Sequence, residues 1–174
     1  SDSVAGGEGD DLVSYAGLNG AVTVDLNAGL AQVSRNIGIS GGDTSAILNG
    51  RQYVLSGASM SWQDAQSWAR GLGGDLVTIN DEAENTFLTN TLVVPSAVSP
   101  WIGFSDAAQE GAWRWSNGEA VTFTNWPLGQ PDDHIAGEDY ATLAANSFWN
   151  DASGASRAIA EFIIASTATL AGIE

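Results

Sequence analysis

Between Gln130 and Asp151 the chain places five carboxylates, Asp132, Asp133, Glu138, Asp139 and Asp151, in a stretch that contains no Lys or Arg. Like charges this crowded repel one another, so such a segment is either a solvated loop or a cation site. Calcium suits the second reading, because it takes about six to eight oxygens from carboxylates, amide carbonyls and water. Gln130 and Asn150 add amide oxygens to the set. A solvated loop would explain the charge, but not Trp149 beside Asn150-Asp151, nor Pro131 beside Gln130.

The whole chain carries charge of the same sign. Twenty-one acids against five bases give a formal charge of -16, a field that repels nucleic acid and anionic membranes and attracts cations. Its 174 residues, 44% hydrophobic with seven Trp, can bury one good core or one domain with a small appendage. Cysteine is absent, which excludes disulfides and thiolate metal sites. His134 is the single histidine, so a zinc site is disfavoured and a packing or ligand-contact role fits it better. No long apolar run or signal peptide is visible, and the chain reads as a segment of something longer.

Taken in order, Gly6 to Val13 fits one copy of a glycine-rich nonapeptide that binds calcium in parallel β-rolls, although one copy cannot build a roll. Leu12 to Tyr15 and Ala21 to Leu26 read as two short strands, with Val22, Val24 and Leu26 alternating on one face. Ile39 to Asp43 reads as a linker, and Tyr53-Val54-Leu55 as the first strand of a second domain. Ser61 and Asp64 start a helix with Trp62, Ala65, Trp68 and Ala69 on one face, ending at Gly71. Leu76 to Ile79 is a strand, and Asp81 with Glu84 starts a helix that turns Ala83, Phe87 and Leu88 inward. Pro95 to Pro100 breaks the pattern. Trp113 to Trp115 and Val121 to Phe123 then flank Asn117-Gly118, the pair favoured in type I′ hairpins. Trp113, Trp115 and Trp126 are expected to pack in the core or its loops. Ala141 to Leu143 and Ile159 to Phe162 read as strands on either side of Trp149.

Four ordered motifs resemble the C-type lectin-like family. Gln130-Pro131-Asp132 matches its Gln-Pro-Asp triplet, Gly137-Glu138-Asp139 its Gly-Glu-Asp, Trp149-Asn150-Asp151 its Trp-Asn-Asp, and Trp101-Ile102-Gly103-Phe104 its Trp-Ile-Gly-Leu strand. The resemblance implies an α+β fold of two helices, mostly antiparallel strands and a long calcium-binding loop region. It implies a sugar-site calcium on Gln130, Asp132, Glu138, Asn150 and Asp151, and a second calcium on Asp106, Glu110, Asp133, Glu138 and Asp139, so two or more ions. Sugar would bind directly through the first ion, with His134 nearby, and a cis Gln130–Pro131 bond is expected. The triplet implies galactose-type ligands; L-fucose remains open, because His134 and Ile135 stand where galactose-selective relatives usually place Trp. The family's two disulfides are missing: Ala69 with Ala160, and Tyr140 with Gly154, occupy those positions.

The ends resemble the flanks of repeats-in-toxin proteins, with Leu170-Ala171-Gly172-Ile173-Glu174 as a closing element. Residues 1–45 and 166–174 are thus expected to form one split β element around a lectin-like domain at 46–165. Leu170 and Ile173 would cover its strands. The function expected is a calcium-dependent carbohydrate-binding module of a secreted or surface bacterial adhesin, part of a longer multidomain chain, with cell-surface glycans as partners. No enzymatic role is expected, because the clustered carboxylates have metal roles and no carboxyl of raised pKa is evident. A protein- or ice-binding module on the same fold is the alternative.

Overall fold

The computed structural model describes residues 42–134 and 137–163, and the backbone of four short strand pieces, 21–23, 31–32, 34–36 and 167–168. In chain order the strands are β1 (Ala21–Thr23), β2 (Ala31–Gln32), β3 (Ser34–Asn36), β4 (Thr44–Leu48), β5 (Arg51–Leu55), β6 (Asp75–Leu76), β7 (Trp101–Ser105), β8 (Arg114–Trp115), β9 (Tyr140–Leu143), β10 (Trp149–Ala152), β11 (Ile159–Ile163) and β12 (Thr167–Ala168). The helices are α1 (Trp62–Gly71), α2 (Glu82–Leu88) and α3 (Val94–Ser96), with a π-helical turn, Thr89–Val93, joining the last two.

The chain divides into two compact units, one made of both ends (Ser1–Gly38 with Ile163–Glu174) and one spanning Ile39–Phe162. In the first, β1 pairs antiparallel with β3, and β2 pairs antiparallel with β12. The expected strand at Leu12 to Tyr15, the rest of the Ala21 to Leu26 strand and the expected packing of Leu170 and Ile173 lie outside the described residues.

The larger unit opens with a hairpin. β4 and β5 pair across Asn49-Gly50, whose φ values of 49° and 76° put both residues in the left-handed region that a type I′ turn requires. A strand therefore begins directly after Asp43, ahead of the one read at Tyr53. Two four-stranded sheets follow, in orders β4-β5-β11-β6 and β10-β9-β7-β8. They meet where the Gly103 N–H donates to the Val77 carbonyl at 2.8 Å and the Trp101 N–H to the Arg157 carbonyl at 2.7 Å. Only glycine fits at 103, since a Cβ there would lie 2.8 Å from the Leu76 carbonyl oxygen.

Both long helices start where their caps place them. The Ser61 hydroxyl accepts from the Asp64 N–H at 3.2 Å, and the Asp81 carboxylate accepts from the Glu84 N–H at 2.8 Å. α1 buries Ala65 and Ala69 with Gln66 between them. α2 departs from expectation. Ala83 is exposed, and the buried face carries Glu84, Asn85 and Leu88, with Phe87 packed at its edge. The two polar residues go inward because each has a partner: Tyr53 Oη donates to Glu84 at 2.6 Å, and Trp149 Nε1 donates to Asn85 Oδ1 at 2.8 Å.

An apolar core runs between the sheets and α2 through Leu55, Ile79, Leu88, Ile102, Phe104 and Ile159. Its aromatic part centres on Phe104 and Trp149, ring to ring at 5.5 Å, with Trp115 4.4 Å from Phe104 and Trp126 5.7 Å from Trp149. Trp113 and Trp126 pack edge to face against each other at 4.8 Å, so these indoles serve packing. The hairpin read at Asn117-Gly118 does not form. Gly118 has positive φ but Asn117 does not, and the Asn117 side chain instead accepts the Glu119 N–H at 2.9 Å. Such an Asx turn competes with hairpin geometry. β8 pairs back onto β7, and Val121 to Phe123 is not a strand.

Candidate metal centre

The loop between Trp126 and β9 hangs on one carboxylate. Asp151 lies buried on β10, and its Oδ2 accepts the backbone N–H groups of Asp132 at 2.9 Å and Asp133 at 2.7 Å. The loop enters this anchor through a cis Gln130–Pro131 peptide bond and a turn in which the Gln130 N–H donates to the Pro127 carbonyl. Asp133 has φ of 42°, and its own carboxylate accepts from Gly137 at 2.9 Å and Glu138 at 3.2 Å. These bonds bring back to β10 a chain segment that sequence spacing alone leaves free.

As a result Asp132, Glu138 and Asp151 each present a carboxylate oxygen, all within 4.8 Å of one another. Gln130 stands at the start of the loop, and Asn150 stands exposed next to Asp151, its amide N–H donating to the Asp151 carbonyl. His134 is exposed, and Ile135 lies outside the described residues.

A second acidic group forms beside it. Asp106 is buried at the end of β7, where one carboxylate oxygen accepts the Gly111 N–H at 2.8 Å and its backbone N–H donates to the Asp139 carbonyl at 3.2 Å. Glu110 is pushed above the usual carboxylate range, chiefly by the Asp106 charge, then by lost hydration, and further by Asp133 and Asp139. Glu110 thus lies within the field of Asp106, Asp133 and Asp139.

The donor set can be tested for its fit to a cation. Among the described residues, the buried side-chain oxygens and nitrogens without a hydrogen-bond partner are Asp106 Oδ1, Gln130 Oε1, Asp151 Oδ1, Thr78 Oγ1 and Trp115 Nε1. The three carboxylate and amide oxygens among them all belong to these two groups. A buried oxygen of this kind left unpaired is costly, and a hard cation satisfies it. The residues present therefore fit calcium.

Sequence reading missed a third feature. Glu161 on β11 is buried and paired with Arg51 at 3.1 Å, and burial pushes its carboxyl up to about 7, the Arg51 charge only partly opposing this. It is a carboxyl of raised pKa after all. The local sequence of β11 gives no sign of it, because the burial comes from elements distant in sequence.

Residues 58–159 match the model of the Lectin C-type domain, and the chain belongs to that family. Galactose-specific lectin nattectin from Thalassophryne nattereri is 35% identical over 59% of this chain and 66% of its own length. C-type lectin domain family 17, member A from Homo sapiens is 36% identical over 60% of this chain and 27% of its own. The chain thus spans less than two-thirds of the length of these relatives. Among solved structures, the carbohydrate-recognition domain of the human scavenger receptor C-type lectin superposes with a TM-score of 0.64 at 28% identity, over 68% of this chain and 95% of that one. A calcium-independent type II antifreeze protein shares the fold at 22% identity and a TM-score of 0.63, over 72% of this chain and 94% of that one.

Proposed function

We propose that the chain is a calcium-dependent carbohydrate-binding module. The observation that carries this reading is the set of unpaired buried oxygens on Asp106, Gln130 and Asp151, which fall on the two acidic groups. Gln130, Asp132, Glu138, Asn150 and Asp151 would hold one calcium, and Asp106, Glu110, Asp133, Glu138 and Asp139 a second. Calcium held at the first site would supply a direct electrostatic contact to sugar hydroxyls.

The chain's own groups orient the sugar. Carboxylates accept from the hydroxyl protons, whereas the Gln130 and Asn150 amides can donate, so the side that carries each amide decides which diol fits. The order Gln130-Pro131-Asp132 favours a galactose-type diol, and nattectin, named as galactose-specific, is similar in sequence. L-Fucose-containing glycans fit as well, since exposed His134 stands in place of a stacking indole. The same fold in a calcium-independent antifreeze protein makes ice or protein binding the competing role; the unpaired oxygens favour the metal.

No catalytic residue is assigned. Glu161, the buried carboxyl of raised pKa, is engaged by Arg51 on the sheet of β4, β5 and β11. The two chain ends are read as a split, repeats-in-toxin-like element carrying this module on a secreted or surface bacterial adhesin. The pairing of β2 with β12 supports the split, and the bacterial setting rests on the resemblance of the ends. Among the described residues no helix is long and apolar enough to cross a membrane. A glycan array run in calcium and in chelator tests the proposal: chelator-sensitive binding to galactose- or fucose-terminated glycans supports it, and chelator-insensitive binding contradicts it.

A further inference from the structure

Tyr140 occupies a position that in the family's resemblance belongs to a cysteine, and this chain has no cysteine. It is also the residue that ends the ligand-bearing loop, directly after Glu138 and Asp139. Its ring stacks on Trp62 at the start of α1, centroids 4.9 Å apart and planes 19° from parallel. Trp101 meets it edge-on at 6.1 Å, and the Gln63 side-chain N–H donates to its hydroxyl oxygen. Trp62 is itself fixed, its Nε1 donating to the Ile102 carbonyl at 2.9 Å. Tyr140 also lies opposite Ala152 of β10 and Ser105 of β7 in the sheet.

These contacts have a direction. Trp62 and Gln63 sit on the first turn of a capped helix, and Ile102 lies in the buried middle strand, so the platform is rigid. On its other side, Asp139 accepts the Asp106 N–H through its carbonyl, which links the end of the loop to the second acidic group. We infer that Tyr140 is a positioning residue: its stack on Trp62 clamps the C-terminal stem of the calcium loop to α1 and holds Glu138 and Asp139 in register with Asp106. This rests on the calcium reading above. Such a clamp favours binding because preorganised ligands lose less freedom when the ion binds.

Calcium titration by calorimetry, at a temperature where every variant is folded by circular dichroism, tests the clamp. Tyr140→Ala is expected to weaken calcium binding about tenfold, and Tyr140→Phe, which keeps the stack, to stay within about twofold of wild type. Leu92→Ala, in the core on the π-helical turn, serves as a control that lowers the melting temperature without touching the loop. Loss of calcium affinity in Tyr140→Ala no greater than in Leu92→Ala would overturn the inference. Hydrogen exchange in chelator separates this from the calcium reading. Tyr140→Ala should speed exchange at residues 137–140 and 106–111 while β11 stays protected. Unchanged exchange there overturns the clamp whether or not the wild type binds calcium.

Discussion

The Asp151 carboxylate accepts the backbone N–H of Asp133 at 2.7 Å, across 18 residues of sequence, while its other oxygen is buried and unpaired. One side chain thereby folds the loop and offers a ligand. Asp151→Ala is expected to abolish sugar binding with the far-UV circular dichroism unchanged, and to lower stability by about 1–3 kcal/mol through the stranded amides of Asp132 and Asp133. Wild-type glycan binding by that variant would remove Asp151 from the site.

Trp149→Phe should cost about 2 kcal/mol in urea unfolding, because it keeps most of the ring packing but leaves the buried Asn85 Oδ1 without its donor. Asn85→Leu in the same background should recover part of the loss. Equal stability of wild type and Trp149→Phe would show that the bond contributes nothing.

Stability should depend on pH through Glu161. Its carboxyl is raised from 4.5 to about 7, so between those values the folded state holds a proton that the unfolded state has lost. Stability from this group is therefore greatest in acid and falls as pH rises through about 7, on the order of 3 kcal/mol across the window. The measurement is the difference in urea-unfolding free energy between wild type and Glu161→Gln, in chelator, from pH 5 to pH 8. That difference should shift against the wild type as pH rises; a constant difference contradicts the expectation.

Gln130→Glu with Asp132→Asn should move preference from galactose-type toward mannose-type equatorial diols, since the coordinating oxygens remain and only the donor side reverses. An array with unchanged preference would shift specificity to neighbours such as exposed His134.

Much of the frame was legible because it is written locally. The Ser61 and Asp81 caps, the apolar run from Trp101 to Phe104 and the Trp149-Asn150-Asp151 motif all announce themselves within a few residues. What was not legible depends on partners distant in sequence. Ala83 faces outward because Tyr53 and Trp149 draw Glu84 and Asn85 inside, and no apolar period reports that. Of the two Asn-Gly pairs among the described residues, the one at Asn49 forms a hairpin and the one at Asn117 does not, since only the first has strands able to pair on both sides. The acidic residues of the site were visible as a pattern, whereas their convergence on Asp151 and the Trp62 platform under Tyr140 arise only on folding.

Calcium titration followed by thermal unfolding tests the central claim most directly. If the unpaired oxygens of Asp106, Gln130 and Asp151 are calcium ligands, calcium at about a hundred times its dissociation constant should add about 2.7 kcal/mol per site, and the melting temperature should rise accordingly. Magnesium, which demands a tight octahedron, should do far less at equal concentration. Equal shifts from the two ions, or no shift from either, would contradict the account.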